Sequence, residues 1–298
     1  MNRNTYLYLG LLLLVTFFWG LTFPLIKNTL EFVSPMVFLA LRFGLSTAFL
    51  VPFLIGKKGI FVRRNVMQGS IAGILLFFGY YFQTVGLEYT TAAKSGIITG
   101  IYVVLIPLIS YYYLKRRASR YDAIASVMAF SGLIIMSSSA LSNSGIELGD
   151  ILTLFGAVAY AFQIAYLSKY SEGIDSVVFT FYQLLVVAVL SVVFLPTYPS
   201  LQIDLNYYAI FTIVFTALFA GTFAMFITTR ALIFIEPTAA GVIFVGEPIF
   251  AAISAVIINK EVLGPYTLIG GAIMVLAMFI TTVDKFISSR HRTSLSGT

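Results

Sequence analysis

The chain has 298 residues, of which 59% are hydrophobic and 10% charged, and a net charge of +6 at pH 7; soluble proteins carry roughly 25% charged residues. It contains no Cys, which excludes disulfides, thiolate metal sites and cysteine nucleophiles. In so apolar a chain a basic balance is first a signal of membrane topology and only then of polyanion binding.

The first apolar run, about 6–27, follows Arg3 and has no A-x-A-like cleavage site, so it reads as an uncleaved span rather than a signal peptide. Further runs cover about 35–56, 66–87, 93–114, 120–139, 149–169, 175–195, 207–229, 237–258 and 265–284. Each is close to the ~20 residues that cross a bilayer as a helix, and the alternation of a membrane barrel strand is absent. The expected fold class is an all-α polytopic membrane protein with ten transmembrane helices. The short connections leave no room for a soluble domain.

With the N-terminus in the cytoplasm, that side receives Arg3, Lys57, Lys58, Arg63 and Arg64, then Lys115, Arg116, Arg117 and Arg120, and finally Lys169, Arg230, Lys285, Arg290 and Arg292. The other side receives Lys27, Lys94 and Lys260. This asymmetry predicts that both termini are cytoplasmic and that the basic loops set topology instead of binding nucleic acid.

Near the midpoint, Ser142-Asn143-Ser144-Gly145 has the composition of a linker. Residues 1–140 and 149–284 then form two five-span halves, joined by 141–148 and followed by a basic tail at 285–298. At an offset of 145, Leu87 matches Leu232, Gly96 matches Gly241 and Lys115 matches Lys260; at 141, Val37 and Phe38 match Val178 and Phe179, and Trp19 faces Tyr160. An odd number of spans per half makes the second copy enter the membrane from the opposite side. Inverted repeats of this kind are characteristic of secondary transporters.

Several short motifs recur in order along the two halves. They include Phe18-Trp19-Gly20 with Phe23-Pro24, Leu41-Arg42-Phe43, and Gly86-Leu87 followed by Tyr89-Thr90-Thr91-Ala92-Ala93. The second half carries Ala231-Leu232, Glu236-Pro237-Thr238-Ala239-Ala240, Gly246-Glu247-Pro248, Lys260-Glu261 and Gly270-Gly271. In these features the chain resembles the EamA family of the drug/metabolite transporter superfamily. The resemblance implies a ten-helix carrier of small metabolites, often an exporter of amino acids or related compounds, with cytoplasmic termini. One departure is Lys115-Arg116, where the family usually places a Glu after the fourth span.

Glu247 falls ten residues into its span, too deep to snorkel. A carboxylate facing lipid there costs about 3 kcal/mol. Two readings of Glu247 stand: a substrate-ammonium or proton site, or a structural carboxyl that stabilises backbone freed by Pro248. Arg42 lies about seven residues inside the outer end of the second span and either snorkels, binds a substrate carboxylate or pairs with Glu247. Its mate at offset 141 is Gln183, again a polar residue in an apolar helix. Polar and aromatic stripes run along the third span through Tyr80, Gln83 and Thr84, the fourth through Ser95, Thr99 and Tyr102, and the sixth through Thr153, Gly156, Tyr160 and Gln163. They are either packing faces or, with Trp19 and Phe23, the wall of an aromatic chamber suited to amphipathic organic molecules. The expected substrate-binding set is thus Trp19, Phe23, Arg42, Tyr80, Gln83, Thr99, Tyr102, Tyr160, Gln163, Gln183 and Glu247.

Enzyme chemistry lacks its parts. The single His is His291 in the tail, Asp122, Asp150, Asp175, Asp204 and Asp284 sit at or beyond span ends, and there is no G-x-x-x-x-G-K loop. The expected function is a secondary active transporter in the cell membrane, exporting a small organic metabolite by alternating access. The expected partners are that solute, the lipid bilayer and protons, with no cofactor or metal, in a monomer or homodimer. Alternatives on the same fold are a proton-independent facilitator and an importer; a channel or receptor ranks below them, since neither charge rings nor large coupling segments are visible.

Overall fold

The computed structural model describes residues 3–114, 120–138, 147–198, 201–235, 237–277 and 279–280, and they are almost wholly helical. The Lys115-Arg116-Arg117 loop, the serine-rich linker and the C-terminal tail lie outside the described residues. The helices are α1 (Arg3–Thr29), α2 (Pro35–Leu54), α3 (Arg63–Glu88), α4 (Ala92–Thr99), α5 (Tyr102–Leu114), α6 (Arg120–Ser138), α7 (Leu148–Tyr170) and α8 (Ser176–Val193). They continue as α9 (Tyr207–Phe215), a π-helical segment (Thr216–Phe223), α10 (Ala224–Phe234), α11 (Pro237–Phe244), α12 (Gly246–Asn259) and α13 (Pro265–Ala277).

Six stretches are long and apolar enough to cross a membrane: Leu7–Thr29, Pro35–Leu54, Arg63–Glu88, Leu148–Tyr170, Ser176–Val193 and Tyr207–Phe234. Ala92–Ile106, Gly246–Asn259 and Pro265–Ala277 are shorter apolar helices. The protein is a multi-pass membrane protein. About half of each long span is buried, from 50% to 56%, and the outward residues are apolar as well, Phe53, Phe155 and Val193 among them. Such helices are apolar all round because lipid, not water, meets their outer face.

Two expected spans are interrupted. The fourth breaks at Gly100 and Ile101 between α4 and α5, and the ninth breaks at Val245 between α11 and α12. Gly100 and Val245 are mates at the offset of 145, so both halves break at the same place. Pro248 has no N–H to give the carbonyl one turn earlier, which weakens the helix at the second break.

The loops collect at two ends of the bundle. At one end Lys57, after α2, pairs with Asp175, before α8, at 2.8 Å, and the Arg64 guanidinium donates to the Glu172 carbonyl at 3.0 Å. At the other, the Ser34 amide donates to Gln202 at 3.0 Å and Lys27 Nζ donates to the Leu87 carbonyl at 2.7 Å. There too the Glu261 carboxylate accepts from Ala92 N at 2.9 Å and Ala93 N at 3.1 Å, capping α4 from the far half. The Thr90 hydroxyl donates to Asp150 at 2.6 Å and Lys94 pairs with Glu147 at 3.2 Å, so α7 starts where α1 and α3 end. Helices α1 and α7 therefore run in opposite directions.

The packing is reciprocal. Helix α3 lies against α7 and α8, while its counterpart, the π segment with α10, lies against α1 and α2. Helix α1 packs on α12, and α7 packs on α4 and α5. Helices α2 and α8 pair with each other across the centre, as do α4 and α12. Each half thus buries its inner surface against the other.

Asp175 ties one loop end together. Its Oδ1 accepts from Val177 N at 2.8 Å and Val178 N at 3.4 Å, capping α8, while Oδ2 holds Lys57. Partial burial alone would push this carboxyl up; Lys57 and the two amides outweigh it and hold it below its ordinary value of 3.8. A depressed folded pKa contributes stability that is complete above the unfolded value and fades as pH falls through the folded one. Asp175→Ala is expected to cost about 1 kcal/mol at neutral pH, the usual worth of a cap. The difference from wild type should shrink as the pH falls below 3.8, read by thermal unfolding in detergent at neutral and acid pH.

Candidate functional site

Helices α1, α2, α3, α5, α7, α10 and α12 line a partly open cavity whose empty space, solvent at its mouth included, is about 490 Å³. Of the residues expected to bind substrate, Trp19, Phe23, Arg42, Tyr80 and Gln83 from the first three helices line it. Tyr102, Tyr160, Gln163 and Glu247 complete the expected set on its wall. Two others stand one step behind. Thr99 accepts from Gln83 Nε2 at 3.1 Å, and Gln183 Oε1 accepts from Gln163 Nε2 at 2.8 Å. Thr84, Ser95 and Thr153, from the same stripes, do not reach the cavity, and Ser95 and Thr153 hydrogen-bond each other at 3.3 Å between packed helices.

Thr22, Leu76, Ile164, Met225 and Thr228 also line the cavity and were not expected to. The signal for four of them lay in the internal offsets. Thr22 and Ile164 are the mates, at 141, of Gln163 and Phe23, and Met225 and Thr228 are the mates, at 145, of Tyr80 and Gln83. Trp19 with Tyr160 and Tyr102 with Glu247 are further mates. Most of the wall therefore consists of equivalent positions from the two halves, and the cavity sits where an axis exchanging them would pass.

Tyr102 OH donates to Glu247 Oε2 at 2.7 Å, joining two mates 145 residues apart. Both belong to first turns that follow the helix breaks, Tyr102 opening α5 and Glu247 being the second residue of α12. The sequence had suggested a single span over 237–258 with Glu247 at mid-length and backbone freed at Pro248. Instead the carboxyl lies in the first turn of a half-helix, where amides lack intrahelical acceptors and favour an acid. Its residue is only 5% exposed, consistent with the expectation that it turns away from lipid.

The aromatic rings are held by contacts and by directed hydrogen bonds. Tyr160 OH donates to Gln83 Oε1 at 3.0 Å, and its ring meets Tyr80 edge-on with centroids 5.3 Å apart. Trp19 Nε1 donates to the Ala220 carbonyl at 3.0 Å, inside the π-helical segment. A π turn displaces carbonyls from their regular partners, and here one of them fixes the indole at the cavity wall.

Arg42 is 1% exposed. Its guanidinium carbon lies 4.9 Å from the ring centroids of both Phe43 and Tyr80, so aromatic rings accompany the cation where water does not. Nε and Nη1 have no hydrogen-bond partner. No ion pair links Arg42 to Glu247 among the described residues, which corrects the reading that these two charges meet. Snorkelling is also excluded by its burial. The wall thus carries a guanidinium and a carboxyl with no ion pair between them, among aromatic rings and amides. Among the described residues no three His, Cys, Asp or Glu side chains converge as a metal site requires.

These features can be set beside known proteins. A crystal structure of another protein superposes with a TM-score of 0.71 at 15% identity, covering 95% of this chain and 98% of that one, which shows a shared fold. An uncharacterized transporter of Archaeoglobus fulgidus is 34% identical over 94% of this chain and 87% of its own length. The uncharacterized transporter YoaV of Bacillus subtilis is 20% identical over 93% of this chain and 96% of its own. Over about half of each chain, the uncharacterized transporter YyaM of the same bacterium is 30% identical. The EamA-like transporter family matches twice, at residues 7–138 and again at 147–283, and with a cavity built from both matched halves the chain belongs to that family.

Proposed function

We propose that this membrane transporter is a secondary carrier built from two inverted five-helix halves, residues 1–140 and 149–284, ten spans in all, with both termini in the cytoplasm. It exports a small amphipathic organic metabolite, an amino acid or a relative of one, across the cell membrane by alternating access. The observation that carries this reading is the cavity between the halves, walled by mated residues. A site on the axis relating two similar halves keeps its character when they rock, so the same residues can be offered to either side.

The ends of the bundle supply the parts such a cycle must break and remake. Lys57 with Asp175 joins the halves at one end. Lys94 with Glu147, and Glu261 on the start of α4, join them at the other. The clustering of Lys57, Lys58, Arg63, Arg64 and Lys169 toward the first end supports a cytoplasmic assignment for it. Rings and amides around separated charged groups suit a molecule with an apolar body and polar ends better than a bare ion.

The absence of Cys allows a direct test. Ile164→Cys places one thiol on the cavity wall. In oriented proteoliposomes it should react with a membrane-impermeant maleimide from either side, and a transported solute should show saturable counterflow. Labelling from one side alone, together with linear non-saturating flux, rejects the carrier.

A further inference from the structure

Exchanging the two halves maps Arg42 onto Gln183 and Thr22 onto Gln163. In the second half this pair is complete. Gln163 Nε2 donates to Gln183 Oε1 at 2.8 Å, and Gln183 Nε2 donates onward to Thr229 at 3.3 Å. The first half lacks the equivalent contact. Thr22 is shorter than glutamine by its terminal carboxamide, and its hydroxyl turns back to the Trp19 carbonyl at 2.6 Å. Arg42 is left with Nε and Nη1 unpartnered although it is 1% exposed and lines the cavity.

The Tyr80 hydroxyl hydrogen-bonds the guanidinium, but Nε and Nη1 remain, and a buried cation short of acceptors costs several kcal/mol unless something answers it. Phe43 and Tyr80 lie against the guanidinium, but rings cannot accept the in-plane N–H bonds as oxygen does. The group that would complete the symmetry is three heavy atoms in a plane with an acceptor oxygen. A carboxylate has the same size and shape, and it brings the opposite charge.

We propose that the corner of the cavity between Arg42 and Thr22 is an anion subsite that takes a carboxylate of the transported solute, in the place where Gln163 supplies an amide in the other half. The assignment rests on the carrier reading above and names the chemistry of one end of its substrate. The aromatic wall receives the apolar body, and Thr228, whose buried hydroxyl also lacks a partner, offers a further polar contact on the same wall.

The test uses the full chain in lipid nanodiscs, with phenylacetate and 3-phenylpropionate as probes and their uncharged amides as controls. Ligand-induced thermal stabilisation reports binding. The acids should stabilise the wild type saturably, with affinity at least ten times that of the amides. Arg42→Gln should weaken the acids at least tenfold. Thr22→Gln keeps Arg42 and rebuilds the arrangement of the second half, so it should weaken them similarly while leaving the protein folded; this variant decides the matter if Arg42→Gln does not fold. Equal binding of acids and amides, acid binding that survives both substitutions, or no stabilisation by either acid overturns the subsite. Counterflow separates this from the carrier itself. An uncharged solute exchanged while neither acid binds leaves a carrier without the subsite, whereas acids that bind as expected but are never exchanged leave the subsite without a carrier.

Discussion

Gly20→Val is expected to lower the thermal unfolding midpoint and to reduce transport with it. A Cβ at Gly20 would stand 2.5 Å from Phe250 Cβ, 2.8 Å from Ala251 N and 2.9 Å from the Glu247 carbonyl oxygen. Two of those are backbone atoms of α12 and cannot swing aside, so the two helices must separate. Overpacking of this kind costs about 1–3 kcal/mol. It also displaces the turn that carries Glu247, so the hydrogen bond from Tyr102 should lengthen. Gly10 on the same helix is the control, because a Cβ there meets nothing within 4 Å. Gly10→Ala should unfold at or slightly above the wild-type temperature, since alanine favours a helix over glycine. If the two variants have equal midpoints in detergent-solubilised protein, the close α1–α12 contact does not bear on stability.

The second large effect concerns the central hydrogen bond. Glu247→Gln preserves an acceptor for Tyr102 OH and removes the charge; Tyr102→Phe preserves the charge and removes the 2.7 Å bond. A carboxylate that holds a substrate ammonium or a proton contributes a charge-assisted interaction, worth about 1.5–3 kcal/mol. Glu247→Gln should then reduce flux by roughly 10- to 150-fold at that energy and flatten its dependence on pH. Tyr102→Phe should lower flux less and leave the pH dependence in place. The structural reading predicts the reverse pattern: Gln supports the broken helix as Glu does, so flux and its pH profile stay at wild-type values, and Phe lowers the unfolding temperature. Initial rates in proteoliposomes across a pH series, with unfolding midpoints for both variants, distinguish the two.

Much of this arrangement could be read from residue order alone, and the limits of that reading have identifiable causes. Glu247 and Arg42 stood out because each is charged within an apolar run, and burial of both follows from the cost of charge in lipid. Offsets of 141 and 145 already contained the pairing of Thr22 with Gln163 and of Gln83 with Thr228. Those pairs are faint in the sequence because a hydroxyl and an amide are not similar residues. Thr99 and Gln183 were expected at the surface of the chamber, yet a helical stripe specifies a face and not a depth, and here Gln83 and Gln163 stand in front of them. The breaks at Gly100 and Val245 were hidden by hydropathy, which averages over a window and is blind to a missing turn.

A membrane-spanning helical chain of duplicated halves is legible without coordinates, because the bilayer imposes long apolar runs, charge placement and internal backbone bonding on any sequence that crosses it. Packing alone settled that Arg42 and Glu247 stay apart and that Tyr102 reaches its own mate across the centre. It also left two nitrogens of one guanidinium without partners where the other half closes a glutamine pair. These outcomes turn on ångström-scale distances between segments more than a hundred residues apart. No local preference of the chain encodes such distances, since they arise only when all the helices share one interior.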